Sequence, residues 1–230
     1  MSSTVEDSRQ EGRRAPMAKS ERTRTRILDA ARELFNERGT AAVSTNAIAA
    51  EAGISPGNLY YHFSDKRQII RALQEQIVGH HENRWEPSSD AAENLAKLRE
   101  NVMAAMGVAW EYRFFERELL ALLRADEELR AVYTEVHERR LGEWLRFGEQ
   151  LVAQGVMREP GPPRSLADLG VAMWLIASHW LSFLEVTGDA CDPAEVARVG
   201  DLIMVVLEPY LTARGRRGLE APTDNRGERG

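Results

Sequence analysis

The sequence predicts an all-α protein, with an N-terminal three-helix helix-turn-helix domain joined to a larger C-terminal helical domain. Three observations predict it. Apolar residues recur at helical spacing from Ile27 to Tyr210. Helix-capping serines and glycine stops divide residues 27–66 into short segments. No strand-like alternation bounded by turn signals occurs anywhere, and no repeat of 20–50 residues is visible.

The elements follow in order. Residues 1–18 are polar and without apolar periodicity, which predicts a disordered extension. Ile27, Ala30, Ala31, Leu34 and Phe35 form one face of a first helix that Gly39 ends. Ser44 or Thr45 caps a second helix carrying Ile48, Ala49 and Ala52 inward, and it stops at Gly53. Ser55 caps a third helix with Pro56 at its first position, where a missing N–H is harmless. Ser64 can cap a fourth helix, expected to run to about Trp85. Long helices are then expected over roughly 90–109, 114–124, 126–154, 165–187 and 193–212, with loops at 159–164 and 187–193. The predicted division is an extension at 1–18, a helix-turn-helix domain at 19–66, a larger helical domain at 67–213 and a disordered tail at 214–230.

Charge is unevenly spread. The net charge is −6, yet residues 1–71 hold 12 Lys/Arg against 9 Asp/Glu, a net +3 that leaves −9 for the remainder. A basic end on an acidic body predicts a polyanion partner at that end only. The single cysteine, Cys191, forms no internal disulfide. Residues 1–26 are too polar for a secretory signal. The most apolar stretch, 171–184, is shorter than a bilayer span, so a buried helix, no membrane partner and a cytoplasmic location are expected.

The third helix carries the functional signal. On a helical wheel Gly57, Asn58, Tyr61 and His62 share one side, Leu59 and Phe63 lie opposite, and Tyr60 sits at the border. The apolar pair anchors the helix while the polar and aromatic set faces outward. In a major groove Asn58 can pair with an adenine edge, tyrosine hydroxyls can bond phosphates, and Gly57 admits close backbone approach. Lys66 is placed to reach a flanking phosphate. No arginine faces outward, so bidentate reading of guanine by this helix is not expected. Catalytic and metal-binding readings lack support. His80 and His81 are adjacent rather than at i, i+4, no Gly-rich phosphate loop follows a strand, and Cys191 has no nearby base. No cofactor is expected.

The segment VSTNAIAAEAGISPGNLYYHFSDKRQII (43–70) resembles the DNA-binding signature of TetR-family bacterial transcriptional regulators. Ala49, Ala52, Gly53, Ser55, Gly57, Leu59, Tyr60, His62, Phe63 and Lys66 carry that resemblance, and 110–133 with 174–185 look like the C-terminal domain of one subgroup. The resemblance implies a cytoplasmic homodimeric regulator, most simply a repressor on a pseudo-palindromic operator in double-stranded DNA. It also implies a C-terminal domain for ligand binding and dimerisation; that the effector releasing the DNA is small and apolar or aromatic is expected from that domain's aromatic and methionine residues. It places DNA contacts at Ser44, Thr45 and Asn46, and at Pro56, Gly57, Asn58, Tyr60, Tyr61, His62 and Lys66. The rival reading is a helical small-molecule-binding protein or enzyme whose N-terminal helices only pack. Candidate effector residues are Met103, Met106, Trp110, Phe114, Phe115, Tyr133, Trp144, Trp174, His179 and Phe183, an aromatic and methionine set. Candidate dimer contacts are Leu169, Met173 and Trp180 on one helix, and Val196, Val199, Gly200, Ile203 and Val206 on the last. There an interior glycine suggests close helix approach.

Overall fold

The computed structural model describes the backbone over residues 3–82, 84–187 and 194–220, and the side chains over 19–82, 84–187 and 198–219. Among the described residues there are ten α-helices and no strand. They are α1 Ser3–Arg38, α2 Thr45–Glu51, α3 Pro56–His62, α4 Lys66–Gly79, α5 Ala91–Glu111, α6 Arg113–Ala125, α7 Glu127–Ala153, α8 Leu166–Thr187, α9 Ala194–Leu207 and α10 Ala213–Glu220. A 3-10 turn, Glu208–Tyr210, follows α9. The chain divides into two compact units, Met1–Ile77 and Val78–Gly230.

The first unit is a small core closed by caps. Ile27, Ala31 and Phe35 of α1, Ile48 and Ala49 of α2, Leu59 of α3, Phe63, and Ile69 and Leu73 of α4 are all almost wholly buried. Seven-residue helices such as α2 and α3 are unstable alone, so this burial holds them. Ser44 Oγ accepts the Ala47 N–H at 3.1 Å and Ser55 Oγ accepts the Asn58 N–H at 3.2 Å, the two N-caps expected. The turn between α2 and α3 needs Gly53, whose φ of 62° is costly for any residue with a Cβ. α4 is capped by Asp65 rather than Ser64: the Gln68 N–H donates to Asp65 Oδ1 at 3.0 Å. In return Gln68 Oε1 accepts the Ser64 N–H at 2.9 Å.

The second unit packs α5, α7, α8 and α9 around one core. Leu95, Leu98 and Val102 of α5, Phe147 and Leu151 of α7, Leu166, Leu169 and Met173 of α8, and Val199, Ile203 and Leu207 of α9 all contribute to it. Buried Asn94 ties α5 to the preceding loop and to α7. Its side-chain N–H groups donate to Ser88 O at 2.7 Å and Gln154 Oε1 at 3.1 Å. α8 is the one described helix long and apolar enough to cross a bilayer by length and composition. It packs against α6, α7 and α9.

Several sequence expectations are corrected here. The backbone over 3–18 continues α1. α4 stops at Gly79, short of Trp85. The expected tail from 214 begins instead as α10, whose Gly215 lies so close to Val156 that the carbonyl oxygen occupies the place of a Cβ. Residues 221–230 fall outside the described residues. The expected dimer contacts Leu169, Met173, Val199, Gly200 and Ile203 are buried inside this chain, and Trp180 and Val206 pack partly buried against the same core. The close approach at Gly200 is made by Met103 of α5, whose Sδ fills the space of a Cβ. Apolar periodicity marks a buried stripe without saying which helix covers it. The side chain of Val196 is outside the described residues.

Candidate nucleic-acid interface

Packing of Leu59 and Phe63 turns the rest of α3 outward. Tyr61 is 81% exposed and Tyr60 50%, and Pro56, Gly57 and Asn58 are exposed as well. His62 is half-buried and meets the Tyr61 ring edge-on at 5.2 Å. Exposure of a tyrosine to this degree is unfavourable in water alone, because its apolar ring gains nothing there. No atom lies within 4 Å of where a Gly57 Cβ would stand. That face is open to a docking surface.

The start of α2 joins the same face through a specific contact. Thr45 Oγ1 and the Tyr60 hydroxyl are 2.9 Å apart. This bond fixes the Tyr60 ring and links the N-terminus of α2 to α3. Ser44 and Asn46 flank it, both exposed. Ser44 Oγ is already engaged as a cap, so Asn46 has the freer side chain of the two.

The cations behave differently from their sequence reading. The Lys66 ammonium donates to the carbonyls of Thr40 and Val43, the latter at 2.9 Å. Two of its three N–H groups therefore anchor α4 to the turn after α1, and one is left for a phosphate. Arg26 donates to the Ala52 carbonyl, closing the end of α2. Arg24 lies over the Phe63 ring, 4.4 Å from its centroid. These basic residues of α1 and α4 thus partly brace the small unit. Sequence spacing does not reveal this, because the acceptors are backbone carbonyls about 26 residues away.

The expected effector residues divide into different environments. Met106, Phe114, Phe115 and Trp144 are buried, and Tyr133, Trp174 and Trp110 are half-buried. Trp144 belongs to the main core against Gly170. Trp110 lines a narrow crevice with Met106, Trp180 and Leu181, and carries Arg113 over its ring at 5.1 Å. Phe114, Phe115, Tyr133 and Trp174 belong to a third place, a run of rings between α6, α7 and α8. Met103, partly exposed, packs its Sδ against Gly200 of α9 instead of joining the other candidates. Phe183 is exposed, and His179 is exposed with its Nδ1 3.2 Å from the Leu175 carbonyl of its own helix. Side chains pointing to solvent from one chain line no pocket within it. Sequence reasoning missed Glu116, His137 and Arg140, which lie at that run of rings. Their only sequence signal was a charge on the inner side of an amphipathic helix. No group of three His, Cys, Asp or Glu suited to a metal occurs among the described residues.

Both units have matches among known proteins. Residues 27–73 match the family model described as bacterial regulatory proteins, tetR family, and residues 79–219 match a second described as bacterial transcriptional repressor. The chain is 53% identical over 51 residues to the transcriptional regulator UidR of Escherichia coli K12, covering 22% of this chain and 26% of that protein. It is 34% identical over 91 residues to the class D tetracycline repressor of Escherichia coli, covering 39% of this chain and 41% of that one. The match thus spans about a quarter of the length of the first of these curated relatives. Among solved structures, a TetR-family transcriptional regulator of Marinobacter aquaeolei VT8 superposes with a TM-score of 0.74 at 30% identity, covering 85% of this chain and 95% of that one. A regulator of Saccharomonospora viridis in complex with choline superposes at 0.65 with 21% identity, covering 82% and 96%, and shares the fold. With the two family models accounting for the chain from Ile27 to Leu219, it belongs to the tetR family of bacterial regulatory proteins.

Proposed function

We propose that the protein is a DNA-binding transcriptional regulator, a repressor that holds a pseudo-palindromic operator as a homodimer and is released by a small apolar or aromatic effector. The observation that carries this reading is the outward face of α3. Asn58, Tyr61 and His62 stand there beside the Thr45–Tyr60 bond, on a helix whose other side is locked by Leu59. Asn58 reads an adenine edge, and the hydroxyls of Tyr60, Tyr61 and Thr45 meet phosphates or bases. Asn46, Ser44, Pro56 and Gly57 border the contact, and Lys66 supplies one phosphate bond.

The homodimer is proposed on a face that sequence periodicity did not single out. Val171, Leu175, Phe183 and Val186 form an exposed apolar stripe on α8, and Leu202 and Val205 one on α9. Such stripes mark association sites, and a two-fold contact pairs each with its mate. Two bound DNA-reading helices would then lie about 34–36 Å apart, one turn of duplex. An effector is supported by fold neighbours solved with choline and, in SmeT, with triclosan. The repressor acts in the cytoplasm, by occluding a promoter. Gel-shift against the DNA upstream of its own coding sequence tests the reading. A salt-sensitive, sequence-specific shift is expected. No specific shift leaves the rival reading, a helical small-molecule binder without a DNA role.

A further inference from the structure

The second unit contains a half-buried polar cluster for which DNA binding has no use. Glu116 on α6 has its Oε2 shut off from solvent and without a hydrogen-bond partner among the described residues, and the same is true of His137 Nδ1 on α7. Rings run continuously past them. Phe115 lies 6.4 Å from Tyr133, the Tyr133 and His137 planes are 5° from parallel at 6.5 Å, and His137 meets Trp174 of α8 edge-on at 4.4 Å. The Glu116 charge acts on the Tyr133 phenol, which the Trp174 indole hydrogen-bonds.

Each polar atom shut off from solvent without a partner carries an uncompensated desolvation cost. A ligand that supplies the missing donors removes that cost on binding. The nearby charges decide its sign. Arg140 is faced by Arg139 but also by Glu143 and Glu116, so two carboxylates oppose the positive charge there. Ring faces attract cations. We propose that Glu116, Tyr133, His137 and Trp174 form the binding site for a protonated amine on an aromatic or apolar body, and that this amine is the effector. This rests on the regulator reading above. The ammonium donates to Glu116 Oε2 and to His137 Nδ1, while its charge faces the Tyr133 and Trp174 rings. An anionic ligand of the same shape meets the Glu116 carboxylate instead. Burial supports the assignment: it lifts the Glu116 carboxyl to about 7 despite Arg140, and a bound cation would draw it back to the ionised form.

The test uses three probes of one shape and different charge: 2-phenylethylamine, 2-phenylethanol and phenylacetate. Calorimetric titration into the full chain without DNA should show the amine binding about tenfold tighter than either of the others, a charge-assisted hydrogen bond's worth. Glu116→Gln should level the three. Trp174→Leu should weaken the amine more than the alcohol, and it decides the matter should Glu116→Gln misfold by circular dichroism. A wild type without preference, phenylacetate binding tightest, or a preference that Glu116→Gln retains overturns the site. Gel-shift with the amine present is a separate arm. Amine binding that depends on Glu116 but leaves the DNA complex intact upholds the site and overturns its effector role. Absence of any DNA binding overturns the regulator reading while calorimetry still decides the site.

Discussion

Replacing Glu116 by glutamine should make the protein more stable at neutral and alkaline pH, although it removes a charge beside Arg140. Burial is the main cause of the elevated carboxyl, and Arg140 opposes it without cancelling it. The direction follows from proton linkage. Below pH 4.5 the group is protonated folded and unfolded, and it contributes nothing. Between its ordinary value of 4.5 and about 7 the unfolded chain releases the proton while the folded chain keeps it, so stability falls as pH rises. Above 7 the whole cost is present. At 1.36 kcal/mol per unit, that cost is about 3 kcal/mol. Glutamine resembles the protonated acid and does not titrate. Glu116→Gln should therefore match the wild type near pH 4 and exceed it by up to about 3 kcal/mol at pH 8. Urea denaturation of both proteins from pH 4 to 8, at one fixed protomer concentration, measures this. Parallel pH profiles would refute the desolvated carboxylate on which the reasoning rests.

Asn58→Ala should relax preference at one operator base pair, with a loss of about 1–3 kcal/mol there, read by gel-shift on a set of single-base operator variants. Lys66→Ala should weaken binding to all sequences alike and lower the salt slope by about 0.9. Because its ammonium also holds the Thr40 and Val43 carbonyls, thermal unfolding should show a loss of stability as well, and an unchanged melting temperature would argue against that anchor. Leu175→Glu with Phe183→Glu should yield monomers by sedimentation while leaving helical content intact, since both side chains are exposed in one chain. Gly215→Ala should destabilise the second unit by roughly 1–3 kcal/mol through overpacking against the Val156 carbonyl, measured by denaturant melts.

The all-α class, the helix-turn-helix and the outward set Asn58, Tyr61 and His62 were determined by sequence alone. Each depends on local rules: the 3.6-residue period, a serine cap, a proline at the first turn, a glycine at positive φ. Those rules act within about one helical turn, so a linear reading captures them. Tertiary structure decided which apolar stripe meets which. Leu169, Met173, Val199 and Ile203 have the periodicity of an interface yet are covered by the chain's own helices, whereas Val171, Leu175 and Phe183 are left outside. It also decided that Lys66, Arg24 and Arg26 brace the small unit, because their partners are carbonyls and a ring distant in sequence. Glu116 and His137 look like ordinary helical polar residues in the sequence. Burial and the absence of a partner, the properties that make them a site, exist only once α6, α7 and α8 are packed together.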